Sequence, residues 1–209
     1  MRRSRKLFAL LLVAAFVMGS AGCARKELTR QNFIAEIESY GIEKTDNIGS
    51  LSNLIATRGG KNGYFVAADK DEAEKYSNLI VDRFDTFPDI KTTDFIMAAV
   101  SEKGSDNRSY PSFICYMSFA NTEDAKEAYN VLVEKYGDEE DGKTGTSSGV
   151  TYSISSSASA AGYNKIGGGF YLQGNTVIFL DTQAAVKDNY KFADTICGKF
   201  GLPSPSKAG

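Results

Sequence analysis

The chain has 209 residues, with 24 Lys and Arg against 26 Asp and Glu, and it contains no histidine. That absence removes the commonest general base, the commonest imidazole metal ligand and every Ser/His or Cys/His catalytic pairing. Nucleic acid is also an unsuitable partner, because phosphate backbones are bound by clustered Lys and Arg and here the basic residues are scattered among acids.

The first predicted element is a leader. Arg2, Arg3, Arg5 and Lys6 form a basic head, Leu7 to Met18 an apolar run of 12 residues, and Gly19, Ser20, Ala21 and Gly22 a small-residue stretch before Cys23. This is a secretory layout, since a membrane-spanning helix needs about 20 apolar residues. Residues 1–22 are therefore expected to be a signal peptide and 23–29 a tether. Four of the 24 cationic residues lie in the leader, so the mature chain carries 20 Lys and Arg against 26 acids, a net of −6.

Ser20-Ala21-Gly22-Cys23 resembles the lipobox of bacterial lipoproteins. The resemblance implies that the Cys23 thiol is alkylated by diacylglycerol and becomes the new N-terminus, with more than one acyl chain holding the protein at a membrane. The alternative is an ordinary leader cleaved after Ala21 or Gly22. The expected address is the outer face of the cytoplasmic membrane, or the outer membrane where a cell has two, because Ala24 gives no signal for inner-membrane retention.

Residues 30–203 are expected to form one α+β domain, an antiparallel sheet with helices packed on one face. Phe33, Ile34, Ile37 and Tyr40 recur at helical spacing, and Gly41 stands where a helix stops. At an offset of 52 residues, 64–84 then matches 116–136 without a gap, with Tyr64/Tyr116, Ala68/Ala120, Ala73/Ala125, Asn78/Asn130 and Val81/Val133 identical. Each copy reads as a strand running into a helix, with Asp69 and Asn121 as N-caps and Glu72 and Asp124 in the first turn. A third copy is placed at Thr176 to Phe200, with Asp181 as cap and Ala185 in the position of Ala73 and Ala125.

Each helix is expected to follow a hairpin, so the domain reads as about three strand-strand-helix units. The second unit pairs Phe95–Val100 with Phe113–Phe119, and the third pairs Phe170–Leu172 with Val177–Leu180 through Gly174 and Asn175. Leu54 to Thr57 is the expected partner strand in the first. Phe113, Cys115, Met117 and Phe119 alternate onto one strand face, which should meet the helical stripe of Ala125, Ala128, Tyr129, Leu132 and Tyr136. The tail, 204–209, is expected to be disordered.

Gly137 to Thr144 fits the phosphate-loop pattern GxxxxGK[ST] but follows a helix and carries four consecutive acids, Asp138 to Asp141, so neither nucleotide nor any other cofactor is expected. Those acids lack the spacing of a calcium loop and read as a solvated turn. Cys115 and Cys197 both fall on expected core faces, where they serve as small hydrophobes or pair as a disulfide. Arg108 and Tyr110 at a hairpin tip, and Tyr163 within the Ser-, Ala- and Gly-rich run 153–169, are candidate ligand or partner contacts; an ordinary turn explains the first two equally, and a flexible surface connection is the favoured reading of the run around Tyr163.

A lipobox cysteine, a short helix containing Phe33, the Asn121–Ala125 strand exit and the block from Gly174 to Asp181 followed by a helix ending at Gly201 resemble uncharacterised small lipoproteins of Gram-positive bacteria. The resemblance implies an address and an architecture, and no activity, ligand or catalytic residue. The expected function is a lipid-anchored, non-catalytic binding module of the cell envelope. The alternatives are a structural or inhibitory module acting through protein contacts, and a histidine-free hydrolase built on carboxylates, tyrosine, lysine or serine.

Overall fold

The computed structural model describes residues 25–46, 63–81, 91–103, 107, 109–137, 142–158, 166–182 and 190–208. In chain order the elements are α1 (Arg30–Ser39), β1 (Ile42–Lys44), β2 (Gly63–Asp69), α2 (Lys70–Val81), β3 (Thr92–Lys103), β4 (Ser109–Phe119), α3 (Thr122–Tyr136), β5 (Lys143–Ser147), β6 (Val150–Ala158), β7 (Ile166–Gln173), β8 (Thr176–Thr182) and α4 (Lys191–Phe200), followed by a 3₁₀ turn at Pro205–Lys207. The eight strands make one sheet in the order β1-β2-β3-β4-β8-β7-β6-β5. Every described pair is antiparallel except β1–β2. Among the described residues no helix is long and apolar enough to cross a membrane.

Helices cover both faces of this sheet, not one. Ile96, Ala98 and Val100 of β3 and Ile114 and Tyr116 of β4 share a cluster with Phe33 and Ile37 of α1 and with Phe192, Ile196 and Phe200 of α4. The intervening Phe95, Ala99, Cys115, Met117 and Phe119 share the opposite cluster with Ala73 of α2 and Ala125, Ala128, Tyr129 and Leu132 of α3. Successive strand side chains point to opposite faces, so a strand apolar at both parities needs a cover on each side. The expected meeting of the Cys115 face with the Ala125 stripe is borne out.

The same division fixes the cysteines. Cys115 and Cys197 lie in opposite clusters, on either side of the sheet, and both are free thiols. The sheet lies between the two side chains, an arrangement that does not bring the two sulfurs into bridging geometry.

The 52-residue match holds for the helices and fails for the strands. α2 begins at Lys70 and α3 at Thr122, and Ala73 and Ala125 are both fully buried on the same face. Tyr64, however, packs against the α2/α3 cluster, whereas Tyr116 belongs to the α1/α4 cluster. A slip of one residue reverses the face of a strand. The joints differ accordingly: Asn121 caps α3 through the Asp124 N–H at 2.8 Å, while Lys70 takes a φ of 50° at the start of α2.

The third copy departs further. Asp181 is a residue of β8 rather than a helix cap, and the following helix starts at Lys191 and packs on the other face of the sheet. Ala185 and the Leu54–Thr57 strand lie outside the described residues. The β3–β4 and β7–β8 hairpins form as expected, the latter through Gly174 at φ 58°.

The tail was expected to be disordered, and its described residues, 204–208, pack against the domain. Tyr171 donates its hydroxyl to the Pro203 carbonyl at 2.8 Å, Asp194 accepts from the Ser204 and Ser206 hydroxyls, and Ala208 is buried against the α1/α4 core. A proline- and serine-rich run reads as solvated in sequence, and it is ordered here because a buried tyrosine and an aspartate supply partners for it. Tyr171 needs Gly169 beside it: a Cβ there would sit 2.4 Å from the tyrosine oxygen.

Candidate functional site

α1 and α4 lie side by side on one face of the sheet and run in opposite directions. Phe33 near the start of α1 meets Phe200 at the end of α4, with ring centroids 5.7 Å apart, and Tyr40 just past the end of α1 meets Phe192 at the start of α4, at 5.1 Å. Where the end of α1, the start of α4 and the end of β3 converge, a cleft of about 460 Å³ opens, lined by Ser39, Tyr40, Val100, Ser101, Glu102, Lys103 and Lys191.

Glu102 organises its floor. Its parity on β3 follows Ile96, Ala98 and Val100, so its side chain projects beneath α4, where it is only 7% exposed. Oε1 accepts the Phe192 backbone N–H at 3.0 Å and Oε2 accepts the Ser112 hydroxyl at 3.1 Å. Ser112 in turn shares a 2.6 Å hydrogen bond with Thr182, tying β3, β4, β8 and α4 together. Tyr190, at the N-cap position of α4, makes no side-chain cap, so a carboxylate from another element performs that task.

Electrostatics follow from burial. Loss of solvent raises the Glu102 carboxyl above its ordinary value, against the opposing pull of the Phe192 N–H, Ser112 and the nearby Lys191 charge. Burial, and then the Glu102 charge, push Tyr40 up to about 12. The cleft therefore combines a neutral phenol, a carboxyl held at two points and two lysines, Lys103 and Lys191, along its wall.

A second perturbed carboxyl lies elsewhere. Asp181 of β8 stands opposite Phe113 and Gly168, on the α2/α3 side of the sheet, and burial raises it to about 7. Its Oδ1 is sealed from solvent without a hydrogen-bond partner among the described residues.

Of the residues singled out in sequence, Tyr110 lies directly across from Glu102 in the β3–β4 pair, one strand from the cleft, and is not part of its lining. Arg108, Tyr163 and Cys23 lie outside the described residues. Most of the 153–169 run is strand, in β6 and β7. The phosphate-loop look-alike leads into β5 at Lys143 and Thr144, so no helix N-terminus follows its Lys-Thr pair. Among the described residues no group of three His, Cys, Asp or Glu could hold a metal ion.

Tyr40, Glu102 and Lys191 were not found by sequence reasoning as a group. They are separated by 62 and 89 positions, and no local spacing joins them. No protein-family model and no curated protein matches the chain.

Proposed function

We propose that this chain is a lipid-anchored, non-catalytic binding module of the bacterial cell envelope, and that its ligand occupies the cleft between Tyr40, Glu102, Lys103 and Lys191. The lipobox-like Cys23 supports the address. The observation that carries the site is the convergence of two helix ends and a strand end on an open cleft with a fixed polar floor. Ligand sites combine this kind of concavity with a few placed polar groups.

Binding rather than catalysis is supported by how the ionisable groups are used. Both Glu102 oxygens are engaged in holding α4 and β4, and Tyr40 holds its proton far above neutral pH. General acid–base chemistry works best with a pKa near the working pH. Asp181, the one carboxyl raised to about 7 among the described residues, faces the other side of the sheet.

The alternative, a module acting through protein contacts, would use an edge of the sheet, of which β1 has three residues and β5 is the longer. That edge reads Lys-Thr-Gly-Thr-Ser, is five residues long, and has its lysine tied to the Lys207 carbonyl at 3.0 Å. Short, polar, lysine-bearing edges discourage strand addition. Amide NMR on the mature protein tests the cleft reading: a bound ligand should move Ser101, Lys103 and Lys191 first, and shifts confined to β5 and β6 would transfer the site to the edge.

A further inference from the structure

The segment that follows Cys23 is docked on the domain rather than swinging free of it. The Lys26 backbone N–H donates to the Lys199 carbonyl at 3.0 Å, and the Lys26 ammonium contacts Glu36 at 2.8 Å, a carboxylate that Lys199 also approaches at 4.0 Å. Arg25 lies over Gly201, where a Cβ would come 2.5 Å from its Cδ, and Leu28 packs against the α1/α4 core. Only Ala24 separates this docked segment from Cys23, so the cysteine sits at most about 7 Å of chain from Arg25.

We infer that the end of the domain formed by the start of α1 and the end of α4 rests directly on an anionic lipid surface, with the Tyr40–Glu102 cleft held at the opposite end, away from the bilayer. The inference rests on the anchoring reading of Cys23. Arg25, Lys26 and Lys199 are exposed at this end. Among the described residues the carboxylates nearby are Glu27, which is exposed, Glu36, whose side chain is 5% exposed beneath the two lysines, and Asp94, which is paired at 3.1 Å with Arg30 at the first position of α1. Exposed cations close to a membrane are drawn to acidic headgroups within about a Debye length of the surface. A cationic patch beside acyl chains is also the second signal that stabilises lipid anchoring. Ser39 and Lys191 mark the far ends of the same two helices, each ten residues long and so about 15 Å. The cleft would thus open toward material outside the membrane.

The test uses the full chain, produced and processed in a bacterium and reconstituted into phosphatidylglycerol vesicles that carry a headgroup quencher. One variant, Gly198→Cys, places a fluorophore in the last turn of α4, where an added Cβ meets nothing within 4 Å. The other, Lys103→Cys, places it at the cleft. The two native described cysteines are buried, so on protein whose Cys23 carries diacylglycerol labelling is confined to the new thiol. The expected result is loss of most emission at position 198 and little loss at position 103, with Cys23 carrying diacylglycerol by mass. Equal quenching at both positions on a modified protein overturns the orientation alone. An unmodified Cys23 overturns the anchoring reading and the orientation with it.

Discussion

Glu102 Oε1 accepts the backbone N–H of Phe192 at 3.0 Å, across 90 residues of sequence. A carboxylate on β3 thereby caps a helix that has no cap of its own and fixes the start of α4 over the sheet. The wall of the cleft and the stability of the helix depend on one side chain.

Replacing Glu102 by Ala leaves the Phe192 N–H and the Ser112 hydroxyl without their acceptor. Loss of a helix cap costs about 0.5–2 kcal/mol. In a domain of this size that lowers the melting midpoint by roughly 2–6 °C. An unchanged midpoint would show that water replaces the carboxylate at no cost.

Asp181 makes stability depend on pH. Its folded pKa, about 7, lies above the ordinary value of 3.8. Its contribution is therefore fully present below about pH 4 and is lost as pH rises through 7, because the folded state holds the proton more tightly than the unfolded chain. Asp181→Asn should be close to neutral at pH 4 and should stabilise at pH 8, raising the midpoint by a few degrees, roughly 1 kcal/mol or more. Parallel melting curves for the two proteins between pH 4 and 8 would contradict this.

Both buried thiols should resist chemistry in the folded protein. Burial raises Cys115 strongly and Cys197 to about 12, and only the thiolate is a good nucleophile. Iodoacetamide at pH 8 is expected to leave both unmodified in buffer and to modify both in denaturant. Oxidation should produce no intramolecular bridge, and a loss of two mass units would contradict their placement on opposite faces of the sheet.

The C-terminal strap can be weighed through Tyr171→Phe. That change removes the 2.8 Å hydrogen bond to the Pro203 carbonyl and the 3.6 Å contact with the Cys197 sulfur while keeping the buried ring. Losing such a bond costs about 1–3 kcal/mol when a buried partner is left unpaired. Protease sensitivity after Leu202 should rise in the variant, and equal cleavage in both proteins would show that Asp194 alone holds the strap.

The two-sided sheet was legible in residues that invite a one-sided reading. Phe113, Cys115, Met117 and Phe119 supply one alternating face of β4, yet Ile114 and Tyr116 supply the other, and β3 runs Phe95 to Val100 without a polar residue. Such runs mark strands covered on both sides. The helix repeat around Ala73 and Ala125 was legible for a similar local reason, since each alanine marks a close helix–sheet contact. The strand faces were not, because the two strands join their helices differently, β2 running directly into α2 and β4 ending at Phe119 before α3 starts at Thr122, which an ungapped match does not reveal. The ordered tail was hidden for another reason: Pro203, Ser204 and Ser206 become structured through Tyr171 and Asp194, partners at a distance. The cleft was hidden most completely, for Tyr40, Glu102 and Lys191 meet only after α1 and α4 have packed against β3.

The cleft is tested most directly by a thermal-shift panel of metals, sugars, peptides, nucleotides and envelope fragments, run on the protein from residue 25 onward beside its Lys103→Ala/Lys191→Ala variant. A ligand at 100 times its dissociation constant adds about 2.7 kcal/mol, which here corresponds to a rise of roughly 5–10 °C. Such a rise is expected for at least one ligand class in the native protein, and its loss in the variant. A rise of equal size in both proteins, or none from any class, would contradict the cleft as the binding site.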